Sequence, residues 1–464
     1  MTPLYDQLLN YSKQQKLQFH TPGHRAGRSL GELWQSPVIT DLDLTEISGL
    51  AWEQAREAAE RLAAEFYKAD RSFFLVQGAS QGILAALLGC FRPGDKVLVA
   101  RNCHISVFTA LIVADLVPVY LEVNLLSDWG LPLEINPDHL QGQLLKHPDS
   151  KGLIVTNPTY QGVATNLAKY RELIGERILI VDEAHGGHFE WCGFSGFNAY
   201  RYADLWVHGT HKFLGSLTQT GILHLKTQRV DVERIRWALA LITTTSPSFI
   251  LMSSLDCNRE YLEQEGHRLF LEKLPLVTEV MRAIAKLSGV RVLADSIPDR
   301  HLAIDPWRLV VSFLDSGLNG FLAENILVDE YQIQPEYADF NQVTFLVSPW
   351  QDKADYYRLI DAFSSLVARY QREAIQPIII QPKLPQLVRS PRTAALGKVQ
   401  PVKLDGAVGR IAATMVAPYP PGIPLLSPGE SISAEEVALI DKLIVTGAKI
   451  IGLTGKNEIM VSCE

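Results

Sequence analysis

Short apolar runs alternate with helical stretches across the first half of the sequence, and this alternation limits the fold more than any other feature. Several runs are apolar at every position, which is typical of strands with both faces covered by helices. Strands interleaved with helices predict an α/β domain with a mostly parallel sheet. Apolar residues at three- and four-residue spacing predict a helix over Trp52–Lys68. The predicted strands are Ser72–Val76, Lys96–Ala100, Val117–Val123, Gly152–Thr156, Arg177–Asp182, Leu205–His208 and Gly221–Leu225.

The second half of the sequence alternates more weakly and divides into further units. The segment Ile375–Leu387 is rich in proline and glutamine and predicts a linker, and the turn Pro418–Pro424 is dense in proline. A chain of 464 residues is long enough for two or three domains. We expect an N-terminal segment over 1–45, a large domain over 46–270, a small α/β domain over 271–380 and a C-terminal domain over 381–464.

Composition and charge argue against several classes of function. The formal net charge of -8 disfavours a nucleic-acid partner, because such proteins normally carry a basic face. The five cysteines are scattered without C-x-x-C spacing, so we expect no disulfide framework and a reducing compartment. Residues 1–16 lack the apolar core of a signal peptide, and Gly82–Phe91 is too short to span a bilayer. We therefore expect a cytoplasmic enzyme with no membrane partner.

Polar side chains follow five of the predicted strands at the points where these strands end. In open α/β sheets, ligands bind beyond the carboxyl ends of the strands. Solvation alone is a poor explanation for so many polar groups at one edge, so we expect a ligand site there. These residues are Ser80, His104, Asn157, Asp182, His185, Thr210, His211 and Lys212.

Asp182 and Lys212 follow two separate apolar strands, thirty positions apart. The Asp182 carboxylate should be partly buried and needs a cationic or hydrogen-bonding partner, for which a protonated pyridine nitrogen is one candidate. A lysine at a strand end can form an imine with an aldehyde. Taken singly, the first could be a loop cap and the second a surface lysine. Together they favour a site for pyridoxal 5'-phosphate (PLP).

A phosphate site is expected where the first strand meets the next helix. Gly78, Ala79 and Ser80 precede a helix of small residues predicted from Gln81. Backbone N–H groups at a helix N-terminus bind phosphate, although small residues also serve there as ordinary caps. Thr210 and His211 are candidates for further donors to the same phosphate.

A metal site is the alternative for the histidines of this region. His185 and His188 are separated by two glycines, which would orient them poorly, and no H-E-x-x-H helix is present. We therefore expect no metal, and His188 is interpreted as a loop residue.

Two segments give the chain a resemblance to a known family. Val181–Phe189 (VDEAHGGHF) and Gly209–Gln219 (GTHKFLGSLTQ) resemble the Orn/Lys/Arg decarboxylases, in the shorter bacterial form without the N-terminal wing domain. The resemblance runs nearly end to end. The other segments that carry it are Phe19–His24, Asp41–Glu46, Arg101–His104, Thr156–Tyr160, Thr245–Ser248, Gly409–Ile411 and Pro418–Pro424.

The resemblance implies an aminotransferase-like enzyme of fold type I that depends on PLP, with a mostly parallel central sheet and a small C-terminal domain. It implies that Lys212 carries the cofactor, that Asp182 pairs with the pyridine nitrogen and that His104 stacks on the ring beside His185. It also implies homodimers or larger homo-oligomers with active sites at subunit interfaces. The residues implied for the phosphate are Ala79, Ser80 and His211.

The implied reaction is decarboxylation of arginine, lysine or ornithine to the corresponding amine of polyamine biosynthesis and CO2. Two alternatives stay open. One is an aminotransferase or another lyase on an amino acid, because the same lysine and aspartate serve those reactions. The other is a non-catalytic homologue that acts by assembly with an active decarboxylase.

Several positions depart from the family pattern and motivate these alternatives. Gly209 stands where a phosphate-binding serine is usual, and Ala79 where threonine or serine is common. Ile105 replaces a usual lysine, and Thr414 lies where an acidic residue is frequent. A customary acidic segment is shortened and replaced by Ala51–Arg56.

Overall fold

The computed structural model describes residues 17–18, 52–297, 301–370, 372–380 and 384–463. The motifs at 19–24 and 41–46 and nearly all of the expected N-terminal segment 1–45 therefore lie outside the described residues.

The helix that the sequence pattern predicts at the start of the large domain is present in the structure. The predicted helix over Trp52–Lys68 ends two residues earlier than expected. The helices are α1 (Trp52–Phe66), α2 (Gly78–Cys90), α3 (Ile105–Val113), α4 (Pro137–Lys146), α5 (Ala168–Ile174), α6 (Thr210–Phe213), α7 (Val232–Ile242), α8 (Phe249–Tyr261), α9 (His267–Ala285), α10 (Gly320–Asp329), α11 (Lys353–Arg369), α12 (Pro391–Leu396) and α13 (Ala434–Val445).

The strands form one large sheet and several smaller ones. They are β1 (Leu17–Gln18), β2 (Arg71–Leu75), β3 (Lys96–Ala100), β4 (Val117–Leu121), β5 (Val123–Leu126), β6 (Leu131–Ile135), β7 (Gly152–Thr156), β8 (Val163–Thr165), β9 (Ile178–Asp182), β10 (Leu205–His208), β11 (Gly221–Leu225), β12 (Arg291–Val292), β13 (Leu302–Ile304), β14 (Arg308–Ser312), β15 (Ile333–Gln334), β16 (Tyr337–Ala338), β17 (Val343–Leu346), β18 (Val399–Lys403), β19 (Ala417–Pro418), β20 (Ile450–Ile451) and β21 (Glu458–Ser462).

The central sheet has seven strands in the order β2-β11-β10-β9-β7-β3-β4. Only β11 runs antiparallel to its neighbours, so six strands end at the same edge. Apolar side chains of α2, α3 and α7 pack against the buried strands in one core cluster. The prediction of an α/β domain on a mostly parallel sheet is confirmed.

Two of the differences from the predicted element boundaries have local reasons. The run Val117–Val123 divides, because β4 ends at Leu121 and β5 pairs with β6 in a separate hairpin. Helix α2 begins at Gly78 rather than Gln81, because Gly78 adopts a φ of 73° that side chains disfavour and turns the chain directly into the helix. The phosphate-binding candidates therefore lie within the first turn of the helix.

The small domain contains an antiparallel sheet in the order β12-β14-β17-β16. Its core includes Phe270 of α9, Trp307, Phe345 and Phe363 of α11. The expected boundary at residue 270 falls inside α9, which a π-helical turn over Leu262–Gly266 joins to α8. Helix α9 therefore belongs to both the large and the small domain as we defined them. The division of the chain into four parts stays a prediction.

The expected linker is irregular but anchored. Residues 372–380 contain no helix or strand, yet Ile378 is buried and holds the Asn341 side chain with two hydrogen bonds of 2.8 and 2.7 Å. Beyond it, α13 and the pair β18–β21 enclose a separate apolar core. In the described part of the chain, no helix is long and apolar enough to cross a membrane.

Candidate active site

A cavity of about 220 Å³, here called the main cavity, opens at the carboxyl edge of the central sheet. Its walls come from the large domain, the small domain and the C-terminal domain. Residues at the strand ends of the large domain meet Glu336 of the small domain and the proline-dense turn of the C-terminal domain. The lining residues are Asn102, His104, Pro132, Thr156, Pro158, Thr159, Tyr160, Gln161, Asp182, Ala184, His185, His211, Lys212, Glu336, Tyr419, Pro420, Pro421 and Ile423.

Lys212 and Asp182 line this cavity together, as their positions after β10 and β9 predict. Burial lowers the pKa of the Lys212 amine, and Asp182 and Glu336 oppose that shift. Burial raises the pKa of the Asp182 carboxyl, and Lys212 opposes it. Neighbouring Gly209 gives Lys212 room, since a Cβ at position 209 would stand 3.1 Å from Lys212 Cδ and 3.1 Å from the Ala184 carbonyl.

His104 lies in the wall at the start of α3 and is fixed by the backbone. Its Nδ1 accepts a hydrogen bond of 3.2 Å from the Ser106 N–H, so the proton of the neutral ring sits on Nε2. Burial lowers its pKa to about 4, which keeps the ring neutral. The next residue, Ile105, donates its N–H to the Gly422 carbonyl at 3.0 Å, which fastens this loop to the proline-dense turn.

A second cavity of about 340 Å³, the helix-end cavity, adjoins the main cavity at the N-terminus of α2. Ala79 and Ser80 line it, as expected for a phosphate site. The residues it shares with the main cavity are His104, Asp182, Ala184, His211, Lys212 and Tyr419.

His211 lies between the two cavities with a defined tautomer. Its Nδ1–H donates to the Thr220 carbonyl at 2.7 Å, so Nε2 of the neutral ring is an acceptor. Burial lowers its pKa to about 4. A phosphate that contacts Nε2 must therefore arrive with a proton or protonate the ring.

Two of the expected polar residues lie outside both cavities. Thr210 is buried, and its hydroxyl donates to Thr220 Oγ1 at 3.2 Å, so its side chain is committed within the protein rather than to a phosphate. Asn157 is also turned away, because its side chain donates to the Phe197 carbonyl and accepts from the Thr165 N–H. Neither side chain lines either of these two cavities, and the expected role of Thr210 at the phosphate stays a prediction.

The two histidines of the His-Gly-Gly-His segment separate. His185 faces the main cavity and accepts at Nδ1 from Arg308 Nη2 at 2.6 Å. His188 is fully buried and bonds through Nε2 to Asp305 Oδ1 at 2.9 Å. The intervening glycines allow close packing, because a Cβ at Gly186 would stand 2.7 Å from Pro158 Cδ. His188 thus has a packing role in the loop.

Sequence reasoning missed Tyr160 and Glu336 as wall residues. The Tyr160 hydroxyl donates to Glu336 Oε1 at 2.8 Å. Burial and Glu336 raise the pKa of Tyr160 well above its ordinary value, so it remains a donor. Tyr160 belongs to a segment already noted for the resemblance, whereas Glu336 precedes the short strand β16 without any local pattern that signals a ligand.

Two family models match the chain. The major domain of the Orn/Lys/Arg decarboxylases matches residues 2–355, and the C-terminal domain of the same enzymes matches residues 372–450. The chain belongs to the Orn/Lys/Arg decarboxylase family. The predictions of this family, and of an enzyme that decarboxylates basic amino acids, are confirmed.

Relatives of this decarboxylase agree with the assignment. Arginine decarboxylase of Bacillus subtilis is 33% identical over 466 residues, covering 97% of this chain and 95% of that protein. The structure of a lysine decarboxylase from Francisella novicida has a TM-score of 0.79 at 22% identity, and the match covers 100% of this chain and 81% of that one. A ureidoglycine–glyoxylate aminotransferase from B. subtilis gives 0.57 at 14% identity, over 73% and 92% of the two chains. The predicted aminotransferase-like fold type I is thereby confirmed.

Proposed function

We propose that this decarboxylase acts on arginine, releasing agmatine and CO2, with PLP held by Lys212 and Asp182. The observation that carries the proposal is a carboxylate, Glu336, in the wall of the cavity that also contains Lys212 and Asp182. A substrate bound beside Lys212 would direct its cationic side chain toward Glu336. The similarity to arginine decarboxylase at 33% identity over nearly the whole chain supports arginine as that substrate.

The residues of the two cavities fit PLP. Asp182 provides a buried carboxylate that needs a cationic partner, and a protonated pyridine nitrogen is such a partner. Lys212 provides an amine whose lowered pKa increases the fraction able to attack an aldehyde. The helix-end cavity provides the backbone N–H groups of α2 and the Ser80 hydroxyl for a phosphate.

When bound, PLP supplies an electron sink for the pair of electrons left behind as CO2 departs. The protein's residues prepare that step. Asp182 would hold the proton of the ring nitrogen, and neutral His104 contributes a flat face and an Nε2–H to the same cavity. Lys212 would hold the cofactor through its amine, and the same amine would deliver a proton to the α-carbon of the substrate.

Glu336 is proposed to recognise the substrate side chain. Tyr160 orients it through the hydroxyl bond of 2.8 Å, and a carboxylate facing a guanidinium can form paired charge-assisted hydrogen bonds. Tyr419, Pro420 and Pro421 form a mainly apolar part of the wall. Such a wall would pack along the methylene groups of the side chain and exclude water.

We also propose a cytoplasmic enzyme of polyamine biosynthesis that assembles as a homodimer or larger homo-oligomer. The acidic composition and the scattered cysteines support a reducing compartment. Tyr419 lines the main cavity but is 45% exposed in the single chain. Part of the cavity wall is therefore open to solvent, as expected when a second subunit completes the site.

The test is a product assay on the purified protein with PLP and arginine, lysine or ornithine in turn. We expect CO2 and agmatine from arginine without a keto-acid acceptor, and far lower turnover of the other two. The control is Lys212→Ala, which should lose both turnover and the visible absorption of bound cofactor. Preference for lysine or ornithine would contradict the substrate proposal. Transfer of the amino group that depends on a keto acid would contradict decarboxylation.

A further inference from the structure

A turn of the small domain holds both histidines of the segment His185–His188. The turn is Asp305–Arg308, closed by the Arg308 N–H donating to the Asp305 carbonyl at 3.0 Å. Asp305 Oδ1 accepts from His188 Nε2 at 2.9 Å, and Arg308 Nη2 donates to His185 Nδ1 at 2.6 Å. An anion and a cation of one turn therefore bind two imidazoles of the large domain.

Arg308 is a buried cation with an unusual partner. The residue is 2% exposed, and its guanidinium donates a hydrogen bond to a neutral imidazole. Among the described residues, it forms no salt bridge, and its Nε and Nη1 have no hydrogen-bond partner. Its guanidinium carbon lies 5.5 Å from the centre of the Tyr160 ring. Burying a guanidinium without a carboxylate is costly, so a compensating role for the charge is expected.

Gly162 makes the close approach of this turn possible. Its φ is 86°, and a Cβ there would stand 2.7 Å from Arg308 Cβ and 3.1 Å from Asp305 Cβ. The Gly162 carbonyl also accepts from the Asp305 N–H at 2.8 Å. Gly162 thus adds a further contact that fixes the turn against the large domain.

The contact with Arg308 determines which nitrogen of His185 carries the proton. A guanidinium only donates, so Nδ1 must accept and cannot be protonated. Burial, Lys212 and Arg308 hold the pKa of His185 well below its ordinary value, so the ring is neutral. The proton is therefore on Nε2, a buried atom without a hydrogen-bond partner among the described residues.

We infer that Arg308 is a positioning residue that fixes His185 as an Nε2–H donor to an anionic oxygen of the bound ligand. Two sources offer such an oxygen beside Lys212, the ring hydroxyl of the cofactor and the α-carboxylate of the amino acid. The inference deepens the proposed function and rests on it for the identity of the ligand. The tautomer itself follows from the protein alone.

The first test is neutron diffraction from crystals of the holoenzyme exchanged into D2O. We expect deuterium on Nε2 of His185 and none on Nδ1. In Arg308→Met, the constraint on Nδ1 is removed, and we expect deuterium to appear on Nδ1 or to be shared. In Arg308→Lys, which retains a cationic donor, Nε2 should keep it. Deuterium on Nδ1 of the wild type would overturn the inference.

The second test separates the two oxygens. If His185 donates to the cofactor, Arg308→Met should shift the pH midpoint of the cofactor's visible band by roughly one unit in the absence of substrate. If it donates to the substrate carboxylate, the band should stay while kcat/KM falls about tenfold or more. Arg308→Lys should restore most of either loss. No change in both quantities would overturn the inference.

The matched control is Asp305→Asn, which weakens the other contact of the same turn and leaves Arg308 and His185 in place. We expect it to leave the band and the deuterium position unchanged. If Asp305→Asn shifted the band or the deuterium as much as Arg308→Met does, the cause would be disturbed docking of the small domain. That result would overturn the inference. If the wild type is inactive on all three amino acids, the proposed function fails, whereas the deuterium position still decides the tautomer.

Discussion

Arg101 and Glu430 form a fully buried ion pair, with 3.0 Å between Arg101 Nη2 and Glu430 Oε2. The same carboxylate oxygen accepts from the Ser427 N–H at 2.7 Å, and Arg101 also donates to the Leu425 carbonyl. Arg101 begins the loop that ends at His104. The pair therefore ties the position of the C-terminal domain to a histidine of the main cavity.

Arg101→Met should strongly destabilise the protein. Above about pH 7, where Glu430 is ionised, the substitution leaves the Glu430 charge buried without its partner, and breaking a buried ion pair typically costs about 3–5 kcal/mol. The measurement is the free energy of unfolding from urea titration. The control Arg268→Met removes ion pairs on an exposed helix face and should leave the unfolding midpoint almost unchanged. Equal effects of the two substitutions would contradict the importance of the buried pair.

Glu430 should make stability fall as the pH rises. Burial raises its pKa from 4.5 to about 7, against the opposing effect of Arg101. Between these two pH values the folded state binds more protons than the unfolded state. The contribution of protonated Glu430 to the free energy of unfolding is therefore complete below pH 4.5, and it is lost as the pH rises past 7. The shift corresponds to roughly 3 kcal/mol. Glu430→Gln should remove this slope from unfolding free energies measured between pH 5 and about 8. An unchanged slope would contradict the assignment.

Glu336→Gln should weaken substrate binding more than turnover. The charge that faces the cationic side chain is lost while the shape is kept, and a charge-assisted hydrogen bond is worth about 1.5–3 kcal/mol. We expect KM for arginine to rise roughly ten- to a hundredfold. Tyr160→Phe, which removes only the hydroxyl that orients Glu336, should have a smaller effect of the same kind. An unchanged KM in Glu336→Gln would exclude this residue as the recognition group.

His211 should give cofactor binding a dependence on pH. Its Nε2 is an acceptor in the neutral ring, and its pKa is about 4, while a phosphate ester loses its second proton near pH 6. Above that pH, neither the His211 ring nor the phosphate retains the proton that a hydrogen bond between them requires. We expect PLP affinity, relative to that of His211→Asn, to fall by up to about tenfold per pH unit above 7. A constant ratio of the two affinities, from equilibrium dialysis, would mean that His211 does not contact the phosphate.

The sequence predicted the central sheet and the pair Asp182–Lys212 because both depend on local patterns. Apolar runs with polar ends define strands and their edge, and parallel strands bring those ends together. The direction of the Thr210 side chain could not be predicted, because Thr210 begins a helix of one turn in which each position points a different way. Its hydroxyl faces Thr220 instead of the cavity.

Glu336 and Arg308 could not be predicted because their roles arise from tertiary packing. Each reaches the site from the small domain, more than ninety positions beyond Lys212 along the chain. Nothing in their neighbouring residues distinguishes them from ordinary surface charges. Only the docking of the small domain brings one to the cavity wall and the other to His185.

The proline-dense turn and the residues that fit the cofactor come from different parts of the chain. The groups that fit the cofactor stand on the sheet edge, whereas Tyr419, Pro420 and Pro421 reach the main cavity from a part of the chain with its own apolar core. Substrate choice could thus be altered by exchanging one portion of the polypeptide while the vitamin-binding chemistry is inherited intact. A chimera carrying the C-terminal portion of a lysine-specific relative would be the natural starting point for retargeting.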